Sequence, residues 1–233
     1  MVKEDTMKYK IGIDEVGRGP LAGPVAVCSF LIKDNNFIES CTGQTCAEYK
    51  LPKLKDSKKL SKKQREVWFE FLKKQKEEGK CDYAVSFVSP QNIDKFGIAK
   101  CIQKALNCSL EVITTREVLF ERSSDEGGGI GARPSQKDLL APFDLFYVYL
   151  DGGLHAPKEY VNQETIIRGD ELHPVISMAS IMAKVSRDRI MTNYAKTYPE
   201  YGFENHSGYG TKAHYAAIKA HGQTSIHRKS FIH

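Results

Sequence analysis

The first 32 residues show two rhythms of apolar and polar positions. Tyr9, Ile11 and Ile13 alternate with Lys10, Gly12 and Asp14, the period of two expected of a strand. Val25 to Ile32 (VAVCSFLI) is apolar almost throughout, as in a strand buried on both faces. Further strands are predicted over Tyr83 to Val88 and over Leu145 to Leu150, the latter stopping at Asp151-Gly152-Gly153. Ser61 and Gln64 have the spacing of a capping box, and Val67, Trp68, Phe71 and Leu72 mark the inner side of a helix ending near Gly79. Ile98 to about Glu121 also repeats at the helical period, with Cys101, Ile102, Ala105 and Leu106 on one side. A long helix is expected from about Pro174 to Tyr194 and a short one from Thr211 to Ala220. Asn35 to Lys55 reads as an irregular connection. Glu121 to Asp138, rich in Gly, Ser and charge, reads as a long mobile loop. Strands alternating with helices predict one α/β domain over 1–233, with a mixed central sheet and a helical C-terminal part over about 200–233.

Composition narrows this picture only a little. The chain has 233 residues, 41% of them hydrophobic, enough to bury a real core. A net charge of +5 is mild, but the lysines cluster in KLPKLKDSKKLSKKQR, Lys50 to Arg65. Such a run is a solvated face when read alone, and it also permits a polyanionic partner. No apolar run approaches the roughly 20 residues of a membrane span. MVKEDTMKYK lacks the apolar region of a signal peptide, and the six cysteines form no CxxC pair. Reduced thiols and a cytoplasmic location are the expectation.

Three apolar-to-acid transitions change the picture more. Asp14-Glu15 ends one strand, Asp151 ends another, and Asp188 lies in the long helix beside the stripe of Met178, Ile181 and Val185. Asp151 before two glycines is also a good turn former, and Asp188 could simply pair with Lys184. Four converging carboxylates would instead suit Mg²⁺ or Mn²⁺, which take oxygen ligands. Two such ions roughly 4 Å apart can activate a water and stabilise the leaving oxygen of a phosphodiester. Adjacent strand residues point to opposite faces, so Asp14 and Glu15 can share a site only if the chain leaves strand geometry just after Asp14. Gly17 offers the bend.

DEVGRGPLAGPV (Asp14 to Val25), DSKKLS (Asp56 to Ser61), YLDGG (Tyr149 to Gly153), SMASIMAKVSRDR (Ser177 to Arg189), GYGTKAHYAAIKAHG (Gly208 to Gly222) and IHRKSF then follow in an order that resembles ribonuclease HII across nearly the whole chain. The resemblance implies a ribonuclease H-like fold and two-metal endonucleolytic cleavage of RNA paired with DNA. It also implies incision 5′ to ribonucleotides embedded in duplex DNA, leaving 3′-hydroxyl and 5′-phosphate ends. Carried over by position, it puts the metal-site acids on Asp14, Glu15, Asp151 and Asp188. It puts the 2′-hydroxyl-reading loop on Gly17, Arg18 and Gly19, and the tyrosine that stacks on the next sugar on Tyr209. Lys58, Lys59 and Lys184, with Ser57, fall where phosphates are contacted. Ser207 stands where the family pattern has a basic residue. The 13 residues before Asp14 leave no room for the extra N-terminal domain of ribonuclease HIII. A monomer is expected, and IHRKSFIH carries no recognisable clamp-binding peptide.

Other readings fare less well. His206, His214, His221 and His227 match no structural zinc spacing, and GGGIG at 127–131 is followed by no GK[ST]. A junction-cutting nuclease of the same fold would not depend on a 2′-hydroxyl. A silent nucleic-acid-binding module would have no use for four acids near phosphate.

Overall fold

Every residue of the strand Val25–Ile32 is buried, because it lies inside the sheet with a helix across each face. The computed structural model describes residues 8–33, 36–42, 51–125 and 143–232. Five strands, β1 (Tyr9–Val16), β2 (Val25–Ile32), β3 (Cys81–Val88), β4 (Phe146–Asp151) and β5 (Gln163–Ile166), form one sheet in the order β3-β2-β1-β4-β5. The β1–β2 and β2–β3 pairs are antiparallel, while β1–β4 and β4–β5 are parallel. The sheet is therefore mixed, as its short and long connections predict.

The pleat sorts the side chains of β2. Val25, Val27 and Leu31 pack with Cys101, Ile102, Leu106 and Leu110 of α4 (Ile98–Asp125). Cys28, Phe30 and Ile32 pack with Trp68 and Leu72 of α2 (Lys62–Glu77) and with Met178, Ile181 and Met182 of α6 (Pro174–Thr197). Each fully buried side chain of this size is worth about 1.5–3 kcal/mol, against about 0–1 kcal/mol for a surface ion pair, so the two apolar layers hold the fold. The capping box forms as predicted, with Gln64 N–H donating to Ser61 and the Gln64 side chain accepting from the Ser61 N–H.

Gly12 sets where α6 crosses. A Cβ there would lie 2.4 Å from the Val175 carbonyl, so only glycine lets the start of α6 rest against β1. A third apolar cluster, of Ala22, Met191, Tyr201, Phe203 and Ile226, joins the end of α6 to the C-terminal segment. There, α7 (Phe203–His206) precedes α8 (Lys212–His221), whose cap is Thr211.

Several expectations need correction. β1 does not end at Asp14; it stays paired with β2 through Val16. The connection read as irregular contains α1 (Asn36–Thr42), with Phe37 and Cys41 buried in the α2 layer. α4 runs on to Asp125, so the first five residues of the expected loop are helical. The rest of that loop, 126–138, lies outside the described residues, as do 139–142 and 43–50. Elements not expected include α3 (Pro90–Phe96), capped by Ser89, and β5, whose four residues QETI carry no apolar run. Among the described residues Cys28, Cys81, Cys101 and Cys108 are free thiols, and no helix is long and apolar enough to cross a membrane.

Candidate active site

Parallel pairing places Ile13 opposite Leu150, so Asp14 and Asp151, the next residue of each strand, lie side by side. Asp14, Glu15 and Asp151 each offer an oxygen within 4.8 Å of the others. Glu15 joins them although β1 remains a strand there. The β1–β4 ladder stops at Ile13, so beyond it that edge is open to the longer Glu15 side chain. The bend comes later, at Gly17, whose φ is +88°.

A fourth carboxylate borders this group, and it is Asp170 rather than Asp188. Asp170 follows β5 in α5 (Gly169–Leu172) and is buried; its N–H donates to Asp151 Oδ1 at 3.3 Å. Its Oδ2 accepts from Lys58 Nζ at 3.2 Å. The turn that delivers it holds Arg168 at φ 57°, a left-handed conformation costing about 1–3 kcal/mol in a non-glycine residue. Asp170 escaped sequence reasoning because the strand before it has no apolar pattern. Its signal was an acid beside a glycine, just after a short β-branched run.

The charges of this group are poorly neutralised. Burial raises Asp14 well above the usual carboxylate range, and Glu15, Asp151 and Asp170 add to the shift, against a hydrogen bond from Ser180. Burial and Asp151 raise Glu15, which Arg18 partly offsets. Burial and then Asp170 raise Asp151. An all-oxygen donor set whose four anions meet only two cations among the described residues, Lys58 and Arg18, fits a hard divalent cation and fits zinc or copper poorly.

Asp188 stands apart, because the tyrosine loop and α6 occupy its oxygens. Its Oδ1 accepts from Lys184 Nζ at 3.0 Å and from Ser207 Oγ at 2.9 Å, while Arg65 lies 4.0 Å from Oδ2. Ser207 is the other non-glycine residue with positive φ among the described residues, at 48°. It leads through Gly208 into Tyr209, which is partly exposed with Lys184 Nζ 5.9 Å from its ring centroid. Asp188 thus anchors the loop that presents Tyr209, beside a polar cleft of about 320 Å³ lined by Lys62, Arg65, Lys184 and Tyr209.

The remaining predicted contacts divide. The Arg18 side chain is exposed and reaches Glu15 Oε1 at 3.5 Å. Gly17 is required by its φ and by Arg187, whose Nε would lie 2.3 Å from a Cβ; Gly19 has nothing within 4 Å. Lys59 pairs with Glu171 at 2.5 Å. Lys58 is raised despite the cost of burial, because Asp170, Asp14 and Asp56 favour its charge, and its side chain is still 75% exposed. Ser57 is corrected: it is buried, so it faces no ligand. Its hydroxyl lies 2.8 Å from Ser180 Oγ, and Ser180 bonds Asp14.

Two fully buried arginines support the loops. Arg187 donates to the carbonyls of Pro24, Ala22 and Ser207, and Arg228 to those of Gly17, Arg18 and Gly23. The histidines earlier weighed for zinc also hold this region. Thr224 N–H donates to His227 Nδ1, so His227 Nε2 carries a proton toward His214 Nε2 at 3.1 Å, and His214 Nδ1 donates to the Tyr209 carbonyl at 2.9 Å.

The family model described as Ribonuclease HII matches residues 11–121 and 143–233. A ribonuclease HII of Endomicrobium trichonymphae is 37% identical over 220 residues, covering 94% of this chain and 83% of its own. One from Clostridioides difficile (strain 630) is 36% identical over 228 residues, covering 96% and 70%. The fold is similar to a chain of the PCNA:RNase HII complex from Archaeoglobus fulgidus, with a TM-score of 0.61, 23% identity, and coverage of 97% of this chain and 96% of that one.

Proposed function

The chain belongs to the ribonuclease HII family and so is an endonuclease of RNA paired with DNA, and we propose that it also incises duplex DNA 5′ to a single embedded ribonucleotide. The observation that carries this reading is the grouping of Asp14, Glu15 and Asp151 within 4.8 Å beside a loop with open space over Gly19.

Asp14, Glu15, Asp151 and Asp170 would hold two Mg²⁺ or Mn²⁺ ions. Bound there, the cations supply an activated water and charge stabilisation for the leaving 3′ oxygen. The protein's own groups position the substrate. Gly17-Arg18-Gly19 reads the ribose 2′-hydroxyl, the group that separates RNA from DNA. The Arg18 guanidinium grips the adjacent phosphate, trading its long 3.5 Å contact with Glu15 for one to the substrate. Tyr209 stacks on the following sugar and disfavours a second ribose there. Lys58, Lys59 and Lys184 meet phosphates along the strand. Ser57 and Ser180 are buried and bond each other, and Ser180 meets Asp14 rather than the substrate.

The test is a duplex carrying one ribonucleotide, with Mg²⁺ or Mn²⁺. Incision 5′ to the ribonucleotide, leaving 3′-hydroxyl and 5′-phosphate ends with the all-DNA control intact, is expected. Cleavage of branched all-DNA substrates, or cleavage indifferent to the 2′-hydroxyl, would overturn the reading.

A further inference from the structure

Arg228 buries a guanidinium with no carboxylate partner among the described residues, and its side-chain donors all go to carbonyls of one loop. Nη2 donates to Gly17 O at 2.7 Å, Nη1 to Arg18 O at 3.1 Å and Nε to Gly23 O at 2.9 Å. Burying a charge in this way is costly, and it is tolerated here with each of the three nitrogens hydrogen-bonded to a carbonyl. Attaching the C-terminal segment to the loop does not require that charge. The backbone already does so, through Arg228 N–H to Leu21 O at 2.8 Å, Gly23 N–H to Ile226 O at 2.8 Å, and the bridge between Ala22 and His227. The three guanidinium bonds are surplus to that attachment.

Their consequence lies in the peptide planes. No peptide bond among the described residues is cis, and in a trans peptide the N–H points opposite to the C=O. When Arg228 draws the carbonyls of Gly17 and Arg18 inward, the N–H groups of Arg18 and Gly19 are turned outward. Both residues are exposed, neither N–H has a partner among the described residues, and space over Gly19 is open. A cation bonded to the carbonyl end of a peptide also polarises its N–H, strengthening it as a donor.

We infer that Arg228 is a positioning residue for substrate selection: from 210 residues away in sequence it orients the Arg18 and Gly19 N–H groups as a paired donor for a ribose hydroxyl oxygen. This rests on the reading of Gly17-Arg18-Gly19 as the 2′-hydroxyl sensor. Arg187 is the comparison residue: it packs against Gly17 but donates only to Ala22, Pro24 and Ser207, so it separates bracing of the loop from the bonds to the Gly17 and Arg18 carbonyls.

The test measures equilibrium binding in Ca²⁺ of two duplexes of one sequence, one with a single ribonucleotide and one all DNA. Wild type, Arg228→Gln, Arg228→Lys and Arg187→Lys are compared. In both Arg228 variants the preference for the ribonucleotide should fall about tenfold, the scale of one or two hydrogen bonds, with all-DNA affinity and Mn²⁺ affinity unchanged. Arg187→Lys should keep the preference. Arg228→Lys retains charge and stem, so it remains informative if the glutamine variant does not fold. Equal weakening toward both duplexes, or an intact preference in folded Arg228→Lys, overturns the inference alone. A wild-type protein that ignores the 2′-hydroxyl overturns the sensor reading itself, and this inference with it.

Discussion

The N–H of Asp170 donates to Asp151 Oδ1 at 3.3 Å, and Asp170 in turn raises the pKa of both Asp151 and Asp14. Asp188 contributes to neither effect, since Lys184 and Ser207 take its Oδ1. Asp170→Asn should therefore lower kcat by about 10²–10³-fold, the several kcal/mol a metal site supplies, and weaken Mn²⁺ binding. Asp188→Asn should leave Mn²⁺ affinity unchanged and act on KM, by loosening the Tyr209 loop and freeing Lys184. Mn²⁺ titrations of the two variants decide this. Equal loss of metal affinity in both would return Asp188 to the metal site.

The His214–His227 pair predicts a specific acid sensitivity. Burial and His214 push His227 down to about 4 from an ordinary 6.5, and the neutral ring accepts from the Thr224 N–H. A depressed histidine contributes stability that is complete above pH 6.5, where folded and unfolded chains are both neutral there. As pH falls from 6.5 toward 4, the unfolded chain binds a proton that the folded one excludes. Stability should decline across that window by at most about 3 kcal/mol from this group. His227→Gln should flatten the decline, read as Tm between pH 7 and 4.5. An unchanged slope would remove His227 from the account.

Much of the fold was legible because burial imposes its period on the chain. β2 reads as a doubly buried strand and is one, and Ser61 and Gln64 form the cap their spacing announces. What escaped were elements made by tertiary context, such as β5, which exists only because β4 offers it a parallel edge. The site divides on the same line. Asp14, Glu15 and Asp151 lie at or near the ends of recognisable strands, whereas Asp170 follows a strand that is not recognisable. Ser57 and Asp188 belong to conspicuous motifs, but what those side chains bond depends on Ser180 and Ser207, far from each in sequence.

Gly12 tests the geometry beneath the site. Alanine there would place Cβ 2.4 Å from the Val175 backbone, which has no flexible end to move aside. Gly12→Ala should destabilise by about 3 kcal/mol or more through overpacking, seen as a fall in urea midpoint. Activity should fall with it, because α6 carries Ser180 against Asp14. A midpoint within error of wild type would mean that α6 does not rest on β1 as described.

Gly17 and Gly19 flank one arginine and should nonetheless fail in opposite ways. Gly17 has φ +88° and packs on Arg187, so Gly17→Ala should cost about 1–3 kcal/mol of stability along with activity. Gly19 is exposed, lacks a positive φ and has nothing within 4 Å of a Cβ. Gly19→Ala should therefore fold with an unchanged Tm. If the space above Gly19 is where a ribose approaches, the added methyl group fills it, and binding to a ribonucleotide-containing duplex should drop at least about tenfold. Thermal melts and binding curves on the two variants separate the roles. A stable Gly19→Ala protein that binds the ribonucleotide duplex as wild type does would show that the substrate does not approach the chain there.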